Sequence, residues 1–321
     1  MKKILAYRFS AFGDVAMIVP VLKEFLAQNP DVEIVFVSRK NFADLFLGVE
    51  RLTFRGVNLD DYKGLFGLRK LVKELNKEFQ PKYVADLHDV LRSKIMTILF
   101  KLRRKKTATL DKGRAEKKQL TQKENKLKKT LKPTTERYAD VFRTLGFSLK
   151  LSHQLPKNST PKSGIGFAPF AQHEGKMLPI EKSLELVKIL SQNHSIFLFG
   201  GGKKEVEILS KWEQELDNVT SLAGKLSLKE ELKKIAELEL MISMDSANMH
   251  LASLVGTRVV SVWGATHYFA GFLGYGQSEK DIVEITDLKC RPCSVFGNKP
   301  CYRGDYACLK TIEISEILKK I

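Results

Sequence analysis

The pattern that most constrains this chain is an alternation of short apolar strands with helical segments, which the sequence runs through twice. The first half opens with a predicted strand at residues 4–7, a helix at 14–28 and a strand at 33–37. Strands separated by helices pair in parallel, because each helix carries the chain back along the face of the sheet. The chain is therefore expected to be an α/β protein.

A polar stretch near the middle divides the sequence. Residues 152–163 read SHQLPKNSTPKS, with two prolines and no apolar period, as an interdomain linker does. The alternation restarts after it, and 321 residues exceed what one hydrophobic core usually holds. We predict two doubly wound domains, residues 1–155 and 163–321. The tail at 311–321 has the apolar spacing of a short amphipathic helix.

The first strand leads into the run RFSAFGDVAMIVP, in which small residues form a turn before Asp14. Ligands of open α/β sheets bind at the carboxyl ends of the strands, so Asp14 is placed to face a substrate. An aspartate at the start of a helix also serves as a cap. A general base needs only an ionised group within hydrogen-bond reach of the acceptor proton. Both readings of Asp14 stay open.

A second candidate site follows the strand predicted at residues 240–243, where the chain reads MDSANMHLASLVG. Asp245, Ser246 and His250 then lie at a helix start, whose free amides and dipole suit a pyrophosphate. The structural alternative is a cap formed by Asp245 or Ser246, with His250 packed on the sheet.

Three further strand ends carry polar residues. Lys176 lies in GFAPFAQHEGKMLP, Glu205 follows the glycine turn of FGGGKKEVEI, and His88 and Arg92 lie in VADLHDVLRSK. Taken singly, the lysine reads as a surface charge, the glutamate as a helix-start acid and the arginine as structural.

Together these runs resemble glycosyltransferase family 9, which contains the ADP-heptose:lipopolysaccharide heptosyltransferases. Ser10, Gly13, Asp14 and Pro20 match its N-terminal motif, and residues 245–252 match its pattern Asp-Ser/Thr-Gly-x-x-His-Leu-Ala, with Ala247 in place of the glycine. The resemblance covers nearly the whole chain. It implies the GT-B architecture, in which two Rossmann-like domains face a central cleft.

The resemblance also implies roles for individual residues. Asp14 would be the base that deprotonates the acceptor sugar, and Ser10, Gly13, His88 and Arg92 would border the acceptor. The donor side would comprise Lys176 at the diphosphate, Glu205 at the ribose with Glu207 as the competing acid, and Asp245, Ser246, Ala247, His250 and Thr266. The implied reaction is an inverting, metal-independent transfer of heptose from ADP-heptose to the lipopolysaccharide inner core, with no cofactor besides the donor.

The positive charge is concentrated in one segment. Between Lys101 and Lys132 there are fourteen Lys or Arg residues against three acids, within a net charge of +17. We expect a mobile loop or exposed helix whose cations, including Lys112 and Arg114, hold an anionic glycolipid acceptor of the lipid A/Kdo type. A merely solvated charged face is the alternative. The opening residues do not read as a signal peptide, so we expect a cytoplasmic protein at the inner face of the membrane.

Four cysteines, spaced Cys290-x2-Cys293-x7-Cys301-x6-Cys308, are compatible with a structural zinc site or with unliganded thiols. Two other functions fit the same organisation: another GT-B glycosyltransferase or a sugar-nucleotide epimerase. A non-catalytic, basic nucleic-acid-binding protein is a further alternative, although the basic segment has no interleaved aromatic residues for base stacking.

Overall fold

A computed structural model describes all 321 residues and divides them into two compact units. The first unit comprises Met1–Gly113 and Lys132–Ser152, and the second comprises Arg114–Leu131 and His153–Ile321. The main break, after Ser152, falls at the start of the predicted linker. The assignment of Arg114–Leu131 to the second unit differs from the predicted domain bounds.

The first unit is built on a five-stranded parallel sheet with the order β3-β2-β1-β4-β5. Its elements are β1 (Lys2–Tyr7), α1 (Phe12–Gln28), β2 (Val32–Arg39), β3 (Leu52–Val57), α2 (Gly64–Phe79), β4 (Tyr83–Asp86), α3 (Leu91–Lys101), β5 (Lys106–Thr109) and α5 (Thr134–Thr144). Between β5 and α5 the chain forms α4 (Arg114–Thr121), which belongs to the second unit.

Burial explains why β1 is the central strand of this sheet. Its residues Ile4, Leu5, Ala6 and Tyr7 are fully buried, as expected for a parallel strand covered on both faces. The helix α1 buries ten residues in a nearly unbroken apolar run, Val15–Leu22 with Phe25 and Leu26. The strand therefore leads into a largely buried helix, and the turn between them reaches the surface.

The second unit is built on a six-stranded parallel sheet with the order β11-β10-β9-β6-β7-β8. Its elements after the linker are β6 (Ile165–Ala168), α6 (Ile180–Leu190), β7 (Ile196–Leu198), α7 (Lys203–Glu215), β8 (Val219–Ser221), α8 (Leu228–Ala236), β9 (Leu240–Met244), α9 (Ala247–Leu254), β10 (Val259–Trp263), β11 (Ile282–Glu284), α10 (Ala307–Lys310) and α11 (Ile314–Leu318). Two parallel sheets in one α/β chain confirm the predicted fold class.

The tail joins the core of the second unit. Ile312, Ile314 and Ile317 are buried there, in the same cluster as strand residues of β6, β9 and β10. The short helix predicted within residues 311–321 forms as α11, and a second short helix, α10, precedes the predicted range. Every helix of the chain is too short or too polar to serve as a membrane span.

The part of the basic stretch that belongs to the second unit, Arg114–Leu131, is attached to that unit by apolar side chains; we call it the basic segment. Leu120 and Leu131 are buried against Ala270, with Phe269 and Phe272 packed beside them. The backbone N–H of Leu131 donates to the carbonyl of Phe269 at 2.9 Å. Of the two predicted forms, a mobile loop or an exposed helix, the segment contains the helix α4, whose Lys117, Leu120 and Thr121 are buried.

Candidate active site

The predicted base Asp14 lies in the first turn of α1, close to the carboxyl end of β1. Its Oδ2 accepts a hydrogen bond from the backbone N–H of Ala11 at 3.3 Å, so the carboxylate does take part in capping. Its side chain is nevertheless 25% exposed. The capping reading and the functional reading are therefore compatible, since one carboxylate oxygen serves the helix while the group stays accessible.

A buried arginine holds this carboxylate. Arg8 is 5% exposed, and its guanidinium lies 2.8 Å from Asp14 Oδ2. The same guanidinium donates to the carbonyl of Leu87 at 2.8 Å and lies 5.7 Å from the centre of the Tyr138 ring. Sequence reasoning missed Arg8 as a site residue. The sequence did contain a sign of this role, because Arg8 directly follows an apolar strand. A charged side chain that is buried at such a place needs a partner of opposite charge.

Tyr138 of α5 contacts the other oxygen of the same carboxylate. Its hydroxyl donates to Asp14 Oδ1 at 3.5 Å. Complete burial raises the pKa of Tyr138 far above its usual range, so the hydroxyl remains a proton donor. Arg8 and Tyr138 together fix the orientation of Asp14.

His88 follows β4 and lies beside the N-terminal turn. Its Nε2 is 3.2 Å from the hydroxyl of Ser10, which brings two of the predicted acceptor residues together. Burial, followed by the positive charges of Arg8, Lys112 and Arg92, lowers the pKa of His88 to about 3. The imidazole is therefore neutral at ordinary pH, and its buried Nδ1 has no hydrogen-bond partner in the protein.

The turn that presents His88 is built by Asp86. This buried carboxylate accepts from the backbone N–H of His88 at 2.9 Å and of Asp89 at 3.0 Å. Arg92 follows in the first turn of α3 and is partly exposed. Gly13 is also partly exposed, at the second position of α1. Ser10, Gly13, Asp14, His88 and Arg92 thus all lie at the carboxyl ends of the adjacent strands β1 and β4.

The boundary between the two units falls between the two basic residues that were predicted to bind acceptor, Lys112 and Arg114. Lys112 belongs to the first unit and contributes to the electrostatics of His88. Arg114 begins α4 and belongs to the second unit. Lys117, another cation of this stretch, does not fit the alternative of a solvated charged face, because its side chain is buried and its Nζ lies 4.2 Å from the centre of the Phe272 ring. Its alkyl stem covers apolar surface while the ammonium meets the aromatic face.

In the second unit, three predicted donor residues meet at three adjacent strand ends. Asp245 follows β9, and its Oδ2 accepts from Lys176 Nζ at 2.9 Å and from the Thr266 hydroxyl at 2.8 Å. Lys176 comes after β6 and Thr266 after β10. The Asp245 and Thr266 side chains are buried, whereas that of Lys176 is 17% exposed. The lysine therefore has a fixed position and an ammonium that still reaches the surface.

The start of α9 lies directly after Asp245. Ser246 is the N-cap residue, but its hydroxyl lies 3.1 Å from that of Ser243 and makes no capping bond to the helix. The first amides of α9 thus lack this cap and can serve an anion. Ala247 has helical backbone geometry, which alanine adopts without strain, and it is partly exposed. His250 is buried in the next turn.

Glu205 closes the glycine turn after β7. Its Oε2 accepts from the backbone N–H of Gly201 at 2.8 Å and of Gly202 at 3.4 Å. The competing residue Glu207 is exposed further along α7. Of the two acids considered, Glu205 is the one at the strand end, and it also serves as a helix-start acceptor.

A second buried arginine, which sequence reasoning also missed, organises the loop after β10. Arg291 is 2% exposed and donates to the carbonyls of Trp263, Gly264, Thr266 and Ile285. It also lies 2.9 Å from the Glu284 carboxylate, which His267 Nε2 approaches at 3.3 Å. Burial by itself would raise the pKa of Glu284, but His267 and Arg291 lower it. Arg291 thereby positions the loop that carries Thr266.

The four cysteines are free thiols, with Cys308 buried and the others partly buried. Burial is the main cause that raises the pKa of Cys308 to about 12, and it also raises the pKa of Cys293. The chain contains no group of three or more His, Cys, Asp or Glu side chains arranged to hold a metal ion. The zinc site suggested by the spacing stays a prediction that elemental analysis of the purified protein tests.

Comparisons with known proteins identify the family and the fold. The model of a family described as glycosyltransferase family 9 (heptosyltransferase) matches residues 68–299. A lipooligosaccharide heptosyltransferase 2 of Campylobacter jejuni subsp. jejuni serotype O:6 is 28% identical over 188 residues, which are 56% of this chain and 57% of that protein. The chain thus matches little more than half the length of this curated relative.

Two solved structures share the fold. A family 9 glycosyl transferase from Veillonella parvula superposes with a TM-score of 0.74 at 18% identity, covering 99% of this chain and 96% of the other. The E. coli heptosyltransferase WaaC with ADP superposes with a TM-score of 0.65 at 20% identity, covering 86% and 92%.

Proposed function

Because this chain belongs to glycosyltransferase family 9, the heptosyltransferase family, we propose that it is a glycosyltransferase that moves a heptose onto the core of a lipopolysaccharide or lipooligosaccharide. The name of its Campylobacter relative supports this acceptor class. The observation that carries the proposal in this chain is the contact of Lys176, Asp245 and Thr266 beside the start of α9. This arrangement provides a cation, a hydroxyl and free helix amides at the carboxyl ends of three neighbouring strands.

The donor is proposed to be ADP-heptose, bound by the second unit. A solved relative, WaaC of E. coli, is described with ADP. The Lys176 ammonium has three N–H donors and gives one to Asp245, so it can also donate to a diphosphate oxygen. Glu205, at the neighbouring strand end, would accept from ribose hydroxyls through the oxygen that does not cap α7.

Asp14 is proposed to be the base of an inverting transfer. Its carboxylate takes the proton from an acceptor hydroxyl while that oxygen forms a bond to the anomeric carbon of the heptose. The bond between that carbon and the diphosphate oxygen breaks, and the electron pair leaves with ADP. Attack from the face opposite the leaving group inverts the configuration. Lys176 and the α9 amides stabilise the departing charge, so the proposed step requires no catalytic metal.

The acceptor is proposed to bind the first unit at Ser10, His88, Arg92 and Lys112. The neutral imidazole of His88 exchanges a hydrogen bond with Ser10 and leaves the local positive charge to the neighbouring cations. Arg92 and Lys112 would pair with carboxylates or phosphates of an inner-core saccharide. Such an acceptor is anchored in a membrane, which places the enzyme at the cytoplasmic face of that membrane in this proposal.

Thermal unfolding in the presence of nucleotides tests the donor assignment. ADP and ADP-heptose at 100 times their dissociation constants should stabilise the protein by about 2.7 kcal/mol, because they bind only the folded state. UDP-N-acetylglucosamine should give no comparable rise in the unfolding temperature.

A transfer assay tests the reaction itself. With ADP-heptose and a heptose-deficient Kdo–lipid A acceptor, the protein should release ADP and add one heptose to the acceptor.

A matched pair of variants locates the donor site. Lys176→Gln should weaken ADP binding by about 10- to 100-fold, since a hydrogen bond from a charged group contributes about 1.5–3 kcal/mol. Lys188→Gln removes an equal charge from the exposed face of α6 and should bind ADP like the wild type. Equal affinity in the two variants would contradict the donor assignment.

A further inference from the structure

The second unit contains a cavity that the proposed transfer does not use. It has a volume of about 340 Å³ and lies between the basic segment Arg114–Leu131 and the cysteine-containing tail. Its walls include Thr121, Lys123, Lys126, Cys293, Lys299 and Tyr302. None of the proposed donor-binding residues lines it. We call it the lysine cavity.

The charged side chains that line the lysine cavity are all positive. Three of its eight lining residues are lysines and none is acidic. Lys123 Nζ lies 5.0 Å from the centre of the Tyr302 ring, and Lys299 is exposed. Clustered ammonium groups repel one another, so an anion placed among them is attracted by all three.

Lys126 shows that the cavity is built rather than a chance meeting of surface lysines. Its Nζ donates to the carbonyl of Cys290 at 2.6 Å and to that of Pro292 at 2.7 Å. These two bonds fix the ammonium at the wall, and its third N–H stays available to a ligand. Lys126 is partly buried, so its ammonium keeps only part of its water shell and a bound anion would take the place of the missing water.

The lysine cavity is also tied to the loop after β10. The backbone N–H of Cys293, a wall residue, donates to the carbonyl of Ala265 at 3.0 Å. Ala265 directly precedes Thr266, which contacts Asp245. A ligand in the cavity would therefore lie next to the loop that carries Thr266 without occupying the Lys176–Asp245 site.

We propose that the lysine cavity binds the phosphate monoester of a phosphorylated sugar. The three lysines match a doubly charged phosphate, which a single cation would not neutralise. Its volume lies at the lower end of the roughly 300–1,000 Å³ of small-molecule sites and exceeds the need of a phosphate ion. Pro300 and Tyr302 supply apolar wall that only an organic group would use. This binding does not depend on the proposed heptose transfer.

Isothermal titration of the full chain with glucose 6-phosphate tests the proposal. The wild type should bind it more tightly than inorganic phosphate, because the sugar ring adds contact area. Lys123→Gln and Lys299→Gln should each weaken binding about threefold or more, and the double variant about tenfold or more. Both lysines are exposed residues, so their replacement should not disturb folding, which thermal unfolding checks.

The control variants are Lys128→Gln and Lys129→Gln, which remove exposed charges of the same segment that do not line the cavity. They should bind glucose 6-phosphate like the wild type. All four single variants should bind ADP normally, so a failure of the donor assignment would be seen separately. The proposal would be overturned if the variants of the cavity-lining lysines and the control variants lost the same affinity for glucose 6-phosphate. Binding only to phosphatidylglycerol vesicles, or no preference over inorganic phosphate, would also overturn it.

Discussion

At the scale of single residues, Asp14 combines two tasks that usually compete. It accepts from the backbone of its own helix, and it pairs with a buried arginine while a quarter of its side chain faces solvent. A fixed carboxylate loses little orientational freedom when it meets a hydroxyl, which favours its use as a base. The cost of burying Arg8 is offset by the charge of Asp14.

Replacement of Asp14 by asparagine should lower kcat of heptose transfer by about 10²- to 10⁴-fold, because the amide cannot accept the hydroxyl proton. ADP affinity should stay unchanged, since the residues proposed to bind donor belong to the other unit. Transfer is measured as ADP release and ADP binding by titration. An Asp14→Asn variant with wild-type kcat would show that another group removes the proton.

His88 gives a prediction about pH and stability. Its folded pKa is lowered to about 3, whereas an unfolded histidine titrates near 6.5. Between these values only the unfolded chain binds the proton, so acidification through this window favours unfolding. His88 alone should remove up to about 1.4 kcal/mol of stability for each pH unit between 6.5 and its folded pKa of about 3.

The variant His88→Gln should therefore lose less stability than the wild type between pH 6.5 and 4.5, in urea unfolding at a series of pH values. Glutamine keeps a polar group near Ser10 but does not titrate. His194→Gln, which changes a histidine before β7, is the matched control and should follow the wild type. Parallel curves for His88→Gln and the wild type would contradict the lowered pKa of His88.

At the scale of elements, the donor side depends on the loop that connects β10 to the following turn. Four carbonyls and one carboxylate of this region converge on Arg291. A guanidinium offers five donors in a planar fork, which a lysine cannot reproduce. The geometry of Thr266 is thus set by a residue 25 positions away in the sequence.

Arg291→Lys should lower the free energy of unfolding by about 1–3 kcal/mol for each buried acceptor left without a donor. It should also weaken ADP binding, because the Thr266 loop loses its support. Arg303→Lys, an exposed exchange in the same tail, should stay within about 0.5 kcal/mol of the wild type. Thermal unfolding with and without ADP measures both effects. An Arg291→Lys variant as stable as Arg303→Lys would show that Arg291 does not support the loop that carries Thr266.

At the scale of the whole molecule, the chain crosses between its two units more than once. The segment Arg114–Leu131 belongs to the second unit, and the chain then returns to the first unit for α5.

Leu120→Ala should lower the free energy of unfolding by about 2 kcal/mol. This is the lower end for such a replacement, because the apolar cluster around Leu120 is small. Amides of residues 269–272 should exchange faster with solvent in this variant.

Leu127→Ala is the control for this experiment, since Leu127 is 45% exposed in the same segment. It should leave both stability and amide exchange unchanged. If Leu120→Ala behaved like Leu127→Ala, the segment would be loosely attached, as the sequence alone had indicated.

The sequence by itself determined the α/β class, the order of most strands and helices, and the strand ends that carry polar residues. These features are local, because apolar periodicity and small-residue turns act over a few neighbouring positions. The edge strands β5, β8 and β11 were not predicted, because a short strand that pairs on one side only carries few apolar residues to mark it.

Only the tertiary structure decided which charges are buried and with what partners. Arg8, Lys117, Lys126 and Arg291 look alike in a sequence with 54 basic residues, yet each occupies a defined, partly or fully buried position. A buried cation must meet acceptors or an aromatic face that distant segments supply. The local patterns of the chain therefore determined which strand ends carry the candidate site residues. Long-range packing determined which of their charges are buried and which partners they have.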